Sequence, residues 1–437
     1  MQTTQEIQTS QNPLERRIDM SLAVADIDKA VEARLKQMAR SVKMPGFRPG
    51  KVPLKIVEQT YGPQARSEAI GAAVERAFGE KVREQNLRVA GYPRIEPKEA
   101  GSEGALEFSA VFEVYPEVVV GDLSAQSIEQ PTLVVGDAEV DKTIDVLRKQ
   151  RTTFEAAARP TQDGDRVTID FAGRKDGELF EGGQATDFPF VIGAGSMLKD
   201  FETAVVGLGV GETKTFDMTF PEDYHAKHLA GQPVQFEVTL KSVEAPKLPE
   251  VDSDFAKALG VADGNVDKLR EEVKGNLERE VKRRIQAKVK EQAMDALLAV
   301  TPIEVPKALV ESEATQLAEN AKRDLAARGM NTKDIPVQPA WFGDQAMRRV
   351  KLGLIMAEVV KGNELHAKPE QIRGLVEEMA QSYEDPSELV RWYYAQPDRL
   401  AQAEAVVIED NVVAWVLSKA QTSEKSIAFD DLMGNAA

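Results

Sequence analysis

The chain has 437 residues, with 72 Asp/Glu against 55 Lys/Arg and a net charge of −17, a balance that excludes a protein coated all over in nucleic acid. It contains no cysteine, which excludes disulfides, thiolate catalysis and cysteine-ligated zinc and suits a reducing compartment. Its length suggests about three domains, and 42% hydrophobic residues are enough for ordinary globular cores.

The first ten residues are polar, with neither a basic start nor an apolar stretch, so no secretory signal is expected. No window approaches the ~18 apolar residues of a membrane span. Alternation through Leu14, Arg16, Ile18, Met20, Leu22 and Val24 predicts a half-buried strand. Asp26 is read as the N-cap of a helix with Ile27, Val31, Leu35 and Met38 on one stripe. The next segment, Gly46-Phe47-Arg48-Pro49-Gly50-Lys51-Val52-Pro53, cannot be helix. Pro45, Pro49 and Pro53 lack amide donors and turn the preceding residues away from the α region. The loop presents Phe47, Arg48 and Lys51, with Gly46 and Gly50 permitting tight turns. From Lys29 to Arg66 there are nine basic and two acidic residues, a local balance of +7. Such a basic island on an acidic protein predicts docking to an anionic partner, nucleic acid being the obvious candidate.

Pro53 is expected in the first turn of a second helix, and a further helical stretch from Gln64 to Asn86. Strands around Arg88 to Ile95 and Leu106 to Val114 close a small α+β unit ending near Pro116. A connector helix spans Gly136 to Gln150, with Val140, Ile144 and Leu147 at helical spacing. Strand and turn signals then dominate to Val243, and Pro246 and Pro249 mark the exit. The remainder reads as helical. Asn265 is expected to cap a long helix with apolar residues at Leu269, Val273, Leu277, Val281, Ile285 and Val289. Each four-residue step advances that stripe by about 40°, so the helix must be gripped on different sides along its length. Further helices are expected from Pro306, near Pro339 and after Lys368, with Asp385-Pro386 as an N-cap and first-turn pair. The helix before the β-rich insert lacks a partner of its own and is expected to pack with the C-terminal helices.

The octapeptide resembles the ribosome-docking signature of the trigger factor family of bacterial chaperones, Gly-Phe-Arg-x-Gly-Lys-x-Pro, with all six fixed positions present. Pro49 stands where some members have Lys, which removes one cation. The resemblance covers essentially the whole chain. Val167 to Phe171, Gly177 to Gly183, Phe190-Val191-Ile192-Gly193 and Phe220-Pro221-Glu222-Asp223-Tyr224-His225 look like the pieces of an FKBP-type peptidyl-prolyl isomerase, in order. The implied fold class is α+β multidomain. It comprises a small α+β docking head (1–115), an FKBP-like antiparallel β insert with a short helix (152–246), and a discontinuous all-α domain (116–151 with 247–437). The implied pocket wall is Phe171, Phe180, Phe188, Met197, Leu198, Phe201, Tyr224 and Phe236. Tyr224 would offer a hydroxyl, and Met197 or Leu198 a backbone donor. Phe190 and Phe216 are assigned to core. Relatives often have Gly where this chain has Asp200, before Phe201, and a carboxylate there bears on loop geometry and catalytic rate.

The implied function is an ATP-independent, cytoplasmic chaperone at the ribosomal exit tunnel that holds nascent chains and isomerises X-Pro bonds. Its partners would be a large-subunit protein and ribosomal RNA, nascent or unfolded polypeptides, and a second copy when free, with no membrane. No cofactor and no metal are implied. Two competing readings are a free FKBP-type isomerase and a chaperone whose middle domain binds peptide without useful catalysis. Other constellations are weaker. His225 and His228 have no Cys and only Glu222 and Asp223 nearby, a weak case for zinc, and Gly207 to Gly211 lacks the Lys-Ser/Thr of a phosphate loop and reads as a hairpin turn. Trp392, Tyr393 and Tyr394 are read mainly as core, but three consecutive rings cannot all face inward on one helix, which leaves one or two to line a binding surface. Met330, Met347, Met356 and Met379 are further candidates for an adaptable client surface.

Overall fold

The computed structural model describes residues 12–42, 44–45, 47, 52–98, 104–224, 226–227, 229–330, 336–381, 383 and 385–434. The chain divides into two compact units, Met1–Pro131 with Gln286–Lys425, and Thr132–Ile285 with Ser426–Ala437.

The first unit opens with strand β1 (Glu15–Ala23), helices α1 (Val24–Ser41) and α2 (Leu54–Glu84), and strands β2 (Val89–Pro97) and β3 (Ala105–Val114). The strands form an antiparallel sheet in the order β1-β3-β2. Alternate residues Ile18, Met20, Ala110, Phe112 and Val114 bury one face against Val74 and Phe78 of α2. Phe78 meets Phe112 edge-on, with ring centroids 5.1 Å apart. A second small core, around Leu35, Val52, Val57 and Ala65, ties α1 to α2 beside the loop that joins them.

Two local expectations are corrected here. Asp26 is not the N-cap of α1. The helix starts directly at the end of β1, Ala23 takes the cap position, and Asp26 sits in the first turn, where the helix dipole favours a carboxylate. The two helices expected after Pro53 are one, α2, with Pro63 inside it. Proline in a helix interior costs roughly 3 kcal/mol. Fully buried Val57 and Ala65 on either side of Pro63 hold the helix together across that break.

Strand β4 (Ser127–Thr132) ends this stretch, and Leu123 and Ile128 before and within it are buried in the first unit's helical core. Helix α3 (Asp137–Gln150) opens the second unit and β5 (Thr153–Ala156) follows. Strands β6 (Arg166–Lys175) and β7 (Glu178–Val191), the short helix α4 (Lys199–Val205), and strands β8 (Thr213–Thr219) and β9 (Pro233–Lys247) complete the insert. Its antiparallel sheet runs β5-β9-β6-β7, with β8 also on β9. One core gathers Val167, Ile169, Phe190, Phe201, Val205, Phe236, Val238 and Leu240. The segment from Gly207 to Gly211 joins α4 to β8, so it is a helix-to-strand connection and not the hairpin turn expected.

After α5 (Ser253–Ala258) comes α6 (Val266–Val300), whose Asn265 side chain accepts from the Lys268 amide at 3.1 Å, as expected of a cap. Leu269, Val273, Leu277 and Val281 are buried with Val140 and Ile144 of α3 in the second unit. The later residues Ala293, Met294 and Leu297 are buried in the first unit's core. That core also takes residues from α8 (Gly343–Asn363) and α11 (Pro397–Lys419), while α7 (Lys307–Ala327) packs on α8 through Ala314, Leu317 and Ala346. Between them in sequence lie α9 (Pro369–Ala380) and α10 (Pro386–Tyr394), the latter capped by Asp385, which accepts from the Ser387 and Glu388 amides. Strand β10 (Gln421–Ser426) pairs with β4, and α12 (Phe429–Met433) follows. This two-stranded ribbon is absent from the all-helical expectation for the C-terminal region. Every residue of β10 is exposed, so it shows no alternation of apolar and polar positions.

Candidate functional site

The insert positions a pocket of about 600 Å³ between the sheet, α4 and the segment after β8. Phe171, Phe180, Phe188, Met197, Leu198, Phe201, Tyr224 and Phe236 all line it, so the eight residues singled out from sequence converge on one cavity. Phe190 and Phe216 do not line it; Phe190 is buried and Phe216 is half-buried against the same core. Phe201, projecting from α4, is 1% exposed. Its ring lies edge-on to Phe236 at 5.2 Å and to Phe171 at 5.7 Å. Phe220 lies tilted against Tyr224 at 4.5 Å, while Phe180 stands edge-on to Phe236 at 6.0 Å. Such edge-to-face contacts fix ring orientation, so the walls are preformed.

Glu181, at the rim, is the one acidic residue among the lining residues. Behind the wall, the Asp187 amide and then the Lys241 ammonium hold the Asp170 carboxyl below its ordinary range. This ties β6, β7 and β9 together next to Phe171. Asp200 is exposed in the first turn of α4 and is not among the lining residues, so its carboxylate leaves the cavity apolar.

Sequence reasoning missed two residues that shape the site. Glu202 is 7% exposed and accepts from the Gly193 amide at 2.9 Å and the Met197 amide at 3.1 Å. A buried carboxylate with two backbone donors staples the loop from Gly193 to Leu198 at both ends. It also commits the Met197 amide, whereas the Leu198 amide makes no hydrogen bond among the described residues. The other is Gly173 on β6. A Cβ there would lie 2.6 Å from the Phe236 ring and 2.8 Å from the Phe180 ring. Nothing in a lone strand glycine signals that two aromatic walls rest on it.

Of the octapeptide from Gly46 to Pro53, Gly46, Arg48, Gly50 and Lys51 lie outside the described residues. Phe47 is described: its amide donates to Met44 at 3.2 Å in a turn, and its side chain is exposed. The helices flanking the loop moderate the local charge. Lys29 pairs with Asp26, Arg34 with Glu68, Lys36 with Glu32, and Arg66 with Asp28. Three of those acids fall just outside the window counted from sequence, so +7 overstates the uncompensated charge. Arg40 and Lys55 are exposed and make no ion pair among the described residues. His225 and His228 lie outside the described residues.

On α9 to α11, Met379, Tyr383, Trp392 and Tyr394 are exposed. Arg399 lies 3.6 Å over the Trp392 ring and Tyr393 meets that ring edge-on at 5.2 Å. None of the three consecutive rings is buried, contrary to the core assignment, because α10 is nine residues long and has no buried position. Met330 and Met347 are exposed, whereas Met356 packs against the helical core.

The family model described as bacterial trigger factor protein (TF) matches residues 1–147, and that of its C-terminus matches 265–418. The model for FKBP-type peptidyl-prolyl cis-trans isomerase matches 157–241. A trigger factor of Aromatoleum aromaticum is 78% identical over 100% of both chains, and that of Dechloromonas aromatica is 60% identical over 97% of this chain and 98% of its own. The chain belongs to the trigger factor family. It is a chaperone of that family, with an N-terminal ribosome-binding domain and an FKBP-type peptidyl-prolyl cis-trans isomerase domain. A solved structure described as promiscuous substrate recognition in folding and assembly activities of the trigger factor chaperone covers 95% of this chain and 99% of its own, at 16% identity and a TM-score of 0.46. Among the described residues, no helix is long and apolar enough to cross a membrane.

In this trigger factor family member, Gly173→Ala is expected to force Phe180 and Phe236 into the cavity. Overpacking of this kind costs about 1–3 kcal/mol, and isomerase efficiency should fall roughly tenfold. Peptide isomerisation beside a thermal melt checks it: a folded variant with the parent's rate contradicts the close packing assigned to Gly173.

Proposed function

We propose that the cavity between α4 and the insert's sheet is the isomerase site and that catalysis there is differential solvation of a twisting amide. Rotation about an X-Pro bond breaks amide resonance against a barrier of ~18–20 kcal/mol. The twisted amide is less polar than the planar one, so a water-excluding aromatic cavity favours it. The observation that carries this reading is the convergence of eight separated apolar and aromatic residues, Phe171 to Phe236, on one preformed pocket. Phe201 forms the floor that excludes water. The backbone donor to the substrate carbonyl is the Leu198 amide, because the Met197 amide is already engaged by Glu202. Tyr224 orients the peptide at the rim.

The division of labour follows. Residues 1–115 dock at the exit tunnel through Phe47, Arg48 and Lys51, with Gly46 and Gly50 shaping the loop, on a large-subunit protein and ribosomal RNA. Residues 152–246 isomerise X-Pro bonds. Residues 116–151 and 247–437 hold nascent or unfolded chains, without ATP, in the cytoplasm, and the free protein forms a homodimer. Exposed Met330, Met347, Met379, Trp392 and Tyr394 support the holding role, since thioether and aromatic side chains repack against diverse shapes.

Removal of 152–245 with the ends joined is expected to leave most of the suppression of client aggregation in the absence of ATP, while abolishing X-Pro isomerisation. Light scattering of a denatured client and a prolyl-peptide assay read the two activities. If the shortened chain folds but the client aggregates as fast as in buffer, holding belongs to the insert and the assignment is wrong.

A further inference from the structure

The loop from Gly193 to Leu198 has a cavity on each side. One is the aromatic pocket. The other, also about 600 Å³, is lined by Ile192, Met197, Thr203 and Val206, with Asp163 and Lys199 among its polar residues. Gly195 and Met197 line both. The partition is thin because two of its residues are glycines in the left-handed region, Gly193 at φ +84° and Gly195 at φ +70°. A side chain at Gly195 would meet nothing within 4 Å, so the rim between the cavities is open. At Gly193 a Cβ would strike the Asp163 carboxylate at 2.2 Å, so the loop closes tightly at that end.

We propose that this rear cleft is a second subsite, which takes an aliphatic side chain of the same polypeptide whose X-Pro bond occupies the aromatic pocket. The proposal rests on the isomerase reading of that pocket. The chemistry of the cleft selects the occupant. Its one buried carboxylate, Glu202, is already satisfied by the Gly193 and Met197 amides, and its exposed charges, Asp163 and Lys199, are of opposite sign. What remains is the apolar surface of Met197 and Val206, backed by the buried Ile192. Val206 is 42% exposed at the end of α4, an apolar side chain left uncovered by the domain's own core. Continuity fixes the source. An extended chain advances about 3.5 Å per residue, so two or three residues carry a peptide from one cavity over Gly195-Ser196-Met197 into the other. The isomerase would thereby read an aliphatic residue at a set distance from proline, although the reacting bond itself gives little specificity.

The test uses the full chain and two lengths of X-Pro peptide. A tetrapeptide is too short to reach the cleft. Octapeptides place Leu or Ser two or three residues to either side of the X-Pro pair. In at least one placement, kcat/KM for the Leu octapeptide should exceed that for its Ser counterpart by about 5- to 10-fold, the worth of partly burying one aliphatic side chain in an open cleft. Val206→Asp should erase this advantage, and the milder Val206→Ser should reduce it, with tetrapeptide kcat/KM within about twofold of the parent. Equal turnover of Leu and Ser octapeptides in every placement, or an advantage that survives Val206→Asp, overturns the subsite. Failure of the parent to isomerise the tetrapeptide instead overturns the aromatic-pocket reading beneath it.

Discussion

Replacing Phe201 with Ala is expected to lower prolyl isomerase efficiency by roughly 100-fold, because on the proposed mechanism the pocket then loses the ring that excludes water from the twisting amide. Phe201 touches Phe171, Phe190, Phe216 and Phe236, so truncation also opens a void beneath the sheet. Phenylalanine-to-alanine changes in such cores cost about 3–5 kcal/mol. Stability and activity must therefore be separated. Phe201→Leu keeps most of the volume and should stay folded while losing much of the activity. Tyr224→Ala, at the rim, should lose less, since Tyr224 is half-buried where Phe201 is fully enclosed. A folded Phe201→Ala chain that isomerises peptides at the parent's rate would remove the pocket from the mechanism.

Changing Phe47, Arg48 and Lys51 together to Ala should weaken ribosome co-sedimentation by roughly 100-fold or more, since a few anchoring side chains carry most of the energy of such interfaces. Fold and isomerase activity should be untouched, because the loop lies between α1 and α2, far along the chain from the insert. Binding of the parent should also weaken as salt rises, because phosphate contacts release condensed counterions. Four neighbouring cations are internally paired, so Arg40 and Lys55 are the next contributors, and changing them should flatten the salt dependence. Unchanged sedimentation of the triple variant would remove the octapeptide from the docking surface.

Much of the fold was legible because the signals were local. Period-two alternation marked β1 and β3, Asn265 and Asp385 marked helix starts, and Gly and Asp turns marked the insert. The misses share a cause as well. Pro63 persists in a helix because packing at Val57 and Ala65 outweighs a local rule. Strand β10 exists because β4, distant in sequence, supplies its hydrogen bonds. The count of +7 ignored Asp26, Asp28 and Glu68, which fold back on the cations. In the pocket, the aromatic wall was readable from residue type and from family resemblance. The supports were not. Glu202 and Gly173 matter through what they touch across the fold, and one sequence does not display that.

The pairing of β5 with β9 has a thermodynamic consequence for the chain around it. Thr153 faces Lys247, 94 positions later, and Arg148 donates to the carbonyl of Pro249 at 2.8 Å. While the insert is folded, its two ends emerge one strand spacing apart, and the surrounding helices experience the excursion as a short loop. If the insert melts, that closure lengthens to the full 94 positions. The logarithmic length dependence of loop entropy then charges the helical part about 3 kcal/mol. The sequence order suits this dependence. The insert is complete before α6 to α11 are synthesised, so the tether is already short when those helices begin to pack.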